Sequence, residues 1–87
     1  GLDFRIVATP GHTRGGVCII TDGVAFVGDT IFLESIGRTD LPGGSYDALL
    51  NSIHTKLLTL PDDTKLLPGH GPGTTVGWER RRNPFLQ

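Results

Sequence analysis

Three short segments end apolar runs in the same way: Thr9-Pro10-Gly11-His12-Thr13, Gly28-Asp29-Thr30 and Leu67-Pro68-Gly69-His70-Gly71. Each sets a potential metal ligand in a loop just past a run that reads as a strand, beside a glycine that lets backbone approach closely. A chain that does this three times is constrained to a fold in which separate strand ends meet. Two imidazoles and one carboxylate suit zinc or a similar borderline metal. As one set, the three would hold one metal with an open position, but not two. Taken singly, a loop histidine is commonly structural, and an aspartate after a strand commonly accepts backbone hydrogen bonds at a turn.

The elements around these loops follow from local chemistry. Phe4 to Ala8 is short and rich in β-formers, and it stops at Thr9-Pro10-Gly11. Val17 to Thr21 and Val24 to Val27 are strands joined by Asp22-Gly23, a strong two-residue hairpin signal. Their nearly continuous hydrophobicity predicts a strand pair covered on both faces. Ile31 to Gly44 shows no sustained period and carries Gly37, Pro42, Gly43 and Gly44, so it reads as a long irregular loop. Ser45 is placed to cap a helix from Tyr46 to about Leu58, with apolar residues at helical spacing, ended by Pro61-Asp62-Asp63. Lys65 to Leu67 predicts a last strand, and Thr75 to about Arg82 a short helix stopped by Asn83-Pro84. The order predicts a mixed α/β unit with its candidate ligands beyond strand ends.

Composition narrows the functional classes. A formal charge of -1 with 20% charged residues gives no chain-wide field for nucleic acid or an anionic membrane. Arg80-Arg81-Arg82 reads as a solvated or ion-paired helix face rather than a phosphate patch. No apolar run approaches the roughly 18 residues of a membrane span. The single cysteine, Cys18, rules out an internal disulfide and reads as a small core residue, since apolar burial suppresses thiolate chemistry. A reducing, cytoplasmic location is expected. With 87 residues the core is modest, and the start at Gly1 with no methionine anywhere reads as a segment of something longer.

Five ordered stretches then resemble the metallo-β-lactamase superfamily, and within it the glyoxalase II-like (hydroxyacylglutathione hydrolase-like) hydrolases. They are Thr9-Pro10-Gly11-His12-Thr13-Arg14-Gly15-Gly16, Val27-Gly28-Asp29-Thr30, Ser35 to Gly44 with its Gly37-Arg38-Thr39-Asp40 core, Leu67 to Pro72, and the tail Glu79-Arg80-Arg81-Arg82-Asn83-Pro84-Phe85. The resemblance implies that residues 1–87 are the C-terminal portion of an αββα sandwich. It implies that His12 is a ligand of a first metal, Asp29 a carboxylate bridging two metals, and His70 a ligand of the second. The upstream His-x-His-x-Asp-His motif that completes such sites does not occur in this chain. His54, on the predicted helix, reads as solvent-facing and is no substitute.

In the complete site implied by the resemblance, two zinc ions, with iron or manganese as alternatives, lie about 3.5 to 4 Å apart and share a hydroxide formed near neutral pH. That hydroxide attacks the carbonyl of a thioester such as an S-acylglutathione, so no serine or cysteine nucleophile is needed. Arg38 and Asp40, in the long loop, are read as holding Asp29 or the loop from behind, or equally as an ion pair without influence on the metal. Within the superfamily the rival is an iron-dependent persulfide dioxygenase, which shares the Gly-Arg-Thr-Asp loop. Outside enzymes, the rival is an inert fragment or interaction module. A half-fold is expected to expose the hairpin and the helix face, and so to form a homo-oligomer or to associate with the missing N-terminal half.

Overall fold

The computed structural model describes residues 3–87. Strands β1 (Arg5–Ala8), β2 (Val17–Thr21) and β3 (Val24–Gly28) form an antiparallel meander, and the β2–β3 turn is Asp22-Gly23 with Gly23 at φ +70°. A two-stranded ribbon follows, β4 (Ile31–Phe32) and β5 (Ser35–Ile36), then helix α1 (Tyr46–Ser52). Strand β6 (Lys65–Pro68) returns parallel to β3, and β7 (Thr74–Thr75) pairs antiparallel with β6 before helix α2 (Val76–Arg82). The sheet order is β1-β2-β3-β6-β7. Three of its strands, β1, β3 and β6, therefore run in one direction and release the chain at one end of the sheet.

Capping chemistry places both helices where the sequence predicts. Ser45 Oγ accepts the Ala48 N–H at 3.2 Å and Thr75 Oγ1 accepts the Trp78 N–H at 3.1 Å, satisfying donors that a helix start leaves free. Asn83 ends α2 and its Oδ1 takes the Phe85 N–H at 2.9 Å, starting a 3₁₀ turn at Pro84–Leu86. Two expectations need correction. The predicted single helix to Leu58 is α-helical only to Ser52. Ile53–Leu57 is a π-helical turn, whose wider winding carries the Leu58 N–H to the Ile53 carbonyl at 2.9 Å. Ile31 to Gly44 is not wholly irregular, because β4 and β5 pair across a turn that puts Glu34 at φ 56°, which periodicity over two-residue strands cannot reveal.

Strand alternation sorts the sheet into two unequal faces. On one, Cys18, Ile20, Ala25, Val27 and Leu66 are buried in one cluster with Leu49, Ile53 and Leu57, which are wholly inaccessible. The helix face thus covers the sheet, and the expectation that it would stay exposed is wrong. On the other face the register Ile6↔Ile19, Ile19↔Phe26 and Phe26↔Leu67 draws an apolar row across four strands, and all of these side chains are exposed. The hairpin is therefore covered on one face only within this chain. Cys18 sits in the core, and burial raises its thiol pKa more than hydrogen bonds with Thr9 and Thr30 lower it. His54 is exposed, as its helix position predicts.

Leu57→Ala, which opens a cavity between the π turn and the sheet, is expected to cost about 2 to 5 kcal/mol in urea unfolding. A loss under about 1 kcal/mol would show that the helical segment does not close the core.

Candidate metal centre

The loop after β1 is moulded onto α1. Pro10 O accepts Ser52 Oγ–H at 2.8 Å, and Gly11 O accepts the Ser45 N–H at 2.7 Å. Gly11 has φ +139° and lies so close to the Leu49 backbone that no side chain fits. Thr9, on the strand side of this loop, is buried with its hydroxyl 3.2 Å from that of Thr30. These ties fix the entry and exit of His12 relative to Asp29. Gly28, at φ +51°, turns the chain after β3, and its carbonyl accepts the Gly69 N–H at 2.9 Å. That bond joins the Asp29 loop to the His70 loop. Gly37 packs against the Asp29 carbonyl with no room for a Cβ, bringing the ribbon's exit under the same turn.

The three sequence-predicted residues meet at the Asp29 carboxylate. His12 Nε2 lies 3.6 Å from Asp29 Oδ2, and His70 Nδ1 lies 3.4 Å from Oδ1. Each imidazole faces a different oxygen. Among the described residues no group of three or more His, Cys, Asp or Glu side chains is arranged to hold one ion. The geometry is two histidines at different oxygens of one carboxylate. His12 is also oriented from behind, with Nδ1 2.8 Å from the Arg38 carbonyl. A carbonyl only accepts, so Nδ1 carries the proton and Nε2 is left to face Asp29. A lone pair facing an anionic oxygen is unfavourable unless a proton or a cation lies between them, and a divalent cation suits this donor set.

Arg38 contributes through its backbone. Its guanidinium forms a two-pronged pair with Asp40, Nε to Oδ1 at 2.8 Å and Nη2 to Oδ2 at 3.0 Å, and that pair points to solvent. A contact of either side chain with Asp29 is not among the polar contacts of the site. The pair closes a ring across Thr39 and so stiffens the turn that presents the carbonyl to His12. Sequence reasoning missed this carbonyl because any residue type could supply it. Phe32 was missed as well: its ring lies 4.9 Å from that of His70, tilted by 38°. A pocket of about 420 Å³ is lined by His12, Asp29, Phe32, Ser35, Ile36, Arg38 and His70. Its walls are apolar on the ribbon side and carry His12, Asp29 and His70 on the loop side.

The hydrogen bonds from Arg38 hold the Asp40 carboxyl below its ordinary range. Its stabilising contribution is therefore full above the unfolded pKa of about 3.9 and is lost as pH falls through the lower folded value. Asp40→Asn is expected to lower the urea midpoint slightly at pH 7 and to leave it unchanged once pH is below the folded value. An equal loss at both pH values would assign the effect to packing instead.

The model of the metallo-beta-lactamase superfamily matches residues 1–70. The hydroxyacylglutathione hydrolase GloC of Haemophilus influenzae is 51% identical over 88 residues, spanning 99% of this chain and 42% of that protein. The crystal structure of ETHE1 from Myxococcus xanthus superposes with a TM-score of 0.91 at 37% identity, over 95% of this chain and 39% of that one. TTHA1623, solved in a di-iron-bound form, gives a TM-score of 0.91 at 47% identity, over 95% of this chain and 42% of its own. The chain thus spans about two fifths of the length of the relatives it matches. With the family model covering most of its residues and the fold shared with these structures, the chain belongs to the metallo-beta-lactamase superfamily.

Proposed function

We propose that this chain carries His12, Asp29 and His70 as metal ligands of a hydrolase that cleaves thioesters of the S-acylglutathione kind, the site being completed by residues outside the chain. The observation that carries this reading is the Asp29 carboxylate with one histidine at each oxygen, 3.6 and 3.4 Å away. A single carboxylate so flanked suits a bridge between two metals, zinc first, with iron or manganese as alternatives. When bound, such metals supply Lewis acidity and water activation near neutral pH. The chain's own residues do the positioning. The Arg38 carbonyl sets the His12 tautomer, the Gly28–Gly69 bond sets the spacing of Asp29 and His70, and Phe32 with Ile36 offers an apolar wall for an acyl group. The similarity to GloC supports the hydrolase reading, and a cytoplasmic location is proposed with it.

The rival is a one-iron persulfide dioxygenase, in which the residue at the place of His70 is not a ligand. The nearness of His70 to Asp29 favours the hydrolase. In the full-length protein, Asp29→Asn and His70→Ala are each expected to lower kcat/KM for an S-acylglutathione on the order of 100-fold or more, with chelator-sensitive wild-type activity. Wild-type turnover that His70→Ala leaves intact would contradict the reading. The 87-residue chain alone is expected to bind metal weakly and to turn nothing over. Robust turnover by it would show that no further ligands are needed.

The exposed row Ile6–Ile19–Phe26–Leu67 is proposed as the face that meets the remaining part of the sandwich, or a second copy in its absence. Light scattering of the 9.3 kDa chain at micromolar concentration is expected to show association that Phe26→Ser weakens. A stable monomer would refute this.

A further inference from the structure

The tail motif around Glu79 has no part in the site described so far. Glu79 lies on α2 with no accessible surface, outside the pocket lining, and no Lys, Arg or His among the described residues pairs with it. A buried carboxyl without a counter-charge is costly, and an apolar residue of similar size would serve α2 better if packing were its only task. Its hydrogen bonds show what it does instead. Oε1 accepts the Glu34 N–H at 2.8 Å and Asn83 Nδ2–H at 2.9 Å, while Oε2 accepts the Thr74 hydroxyl at 2.7 Å. All three groups donate, so the carboxyl acts purely as an acceptor.

These partners bracket His70 from two sides. Glu34 forms the ribbon turn at φ 56°, a conformation that a non-glycine residue adopts only when its surroundings hold it. Asn83 Nδ2 also reaches the neighbouring Ser35 carbonyl at 3.0 Å, and Trp78 Nε1 donates to Glu34 Oε2 at 3.2 Å. Helix α2 thus grips the turn that pairs Ser35 with Phe32, whose ring packs on the His70 ring. Thr74 lies on the chain just after the His70 loop and is tied to the same carboxyl. His70 itself is mostly exposed, 76% for its side chain, so its ring plane depends on Phe32 and Asp29.

We propose that Glu79 is a positioning residue for His70, joining the β4–β5 turn and Thr74 to α2 so that Phe32 is held against the imidazole. Its consequence for metal binding rests on the reading of His70 as a ligand; the placement of the two rings does not.

The test is a proton NMR cross-relaxation experiment on the metal-free full-length protein, reading the contact between the Phe32 and His70 rings. A folded Glu79→Ala is expected to lose that cross-peak. Glu79→Gln is expected to retain it, since the amide oxygen still serves Glu34 and Asn83 and the amide nitrogen can donate to the Thr74 hydroxyl. Leu57→Ala, a core change that removes none of the hydrogen bonds made by Glu79, should retain it too. Retention in Glu79→Ala, loss in Glu79→Gln or loss in Leu57→Ala overturns the proposal. If Glu79→Ala does not fold, Thr74→Val must weaken the cross-peak, and an unchanged peak overturns it. Zinc titration of the same samples should then show affinity about 10 to 100-fold lower in Glu79→Ala and near wild type in Glu79→Gln. Wild-type protein that shows the cross-peak but binds no zinc would refute the metal reading and leave the positioning role standing.

Discussion

The parallel pairing of β3 with β6 is the interaction on which the site depends. Its register sets Ala25 against Leu66 and Gly28 against Pro68, so both strands release their loops at the same edge. Two antiparallel steps through β2 bring β1 to the same direction, and the loop after Ala8 joins them. The segments carrying His12, Asp29 and His70, far apart in sequence, thereby meet without any long side chain having to reach. A parallel connection requires a long crossover, and this one is used twice: its first part forms the ribbon that walls the pocket, and its second forms the helical segment that closes the core.

The two faces of the sheet follow from that arrangement. Leu49, Ile53 and Leu57 seal one face completely, so the chain has a true core in spite of its size. The other face ends in a four-strand apolar row exposed to solvent, an arrangement that exacts a free-energy penalty unless something covers it. The chain's span of 42% of its GloC relative is consistent with that uncovered face.

Much of this was legible in the residues. The Asp22-Gly23 hairpin, the caps at Ser45 and Thr75 and the stop at Asn83-Pro84 all rest on local chemistry, and all appear where local chemistry places them. The meeting of His12, Asp29 and His70 was legible because three equivalent junctions only make sense in one place. Other features were not. The π turn at Ile53–Leu57 keeps the same apolar spacing as an α-helix over so short a span, and the β4–β5 ribbon has too few residues to show a period. The Arg38 carbonyl leaves no trace in residue type, whereas the Arg38 and Asp40 side chains, two apart in the sequence, were legible as a pair within the loop. Glu79 drew notice only as part of the tail motif, because burial depends on which face α2 turns inward and seven residues do not fix that face.

The central claim is that Asp29 is shared between His12 and His70. An anomalous difference map from crystals of the metal-loaded full-length protein tests it most directly. The account predicts two peaks flanking the Asp29 carboxylate, one at about 2.0 to 2.1 Å from His12 Nε2 and the other at that distance from a His70 ring nitrogen. A single peak held by both histidines, or a metal that leaves His70 or Asp29 uncoordinated, would contradict it.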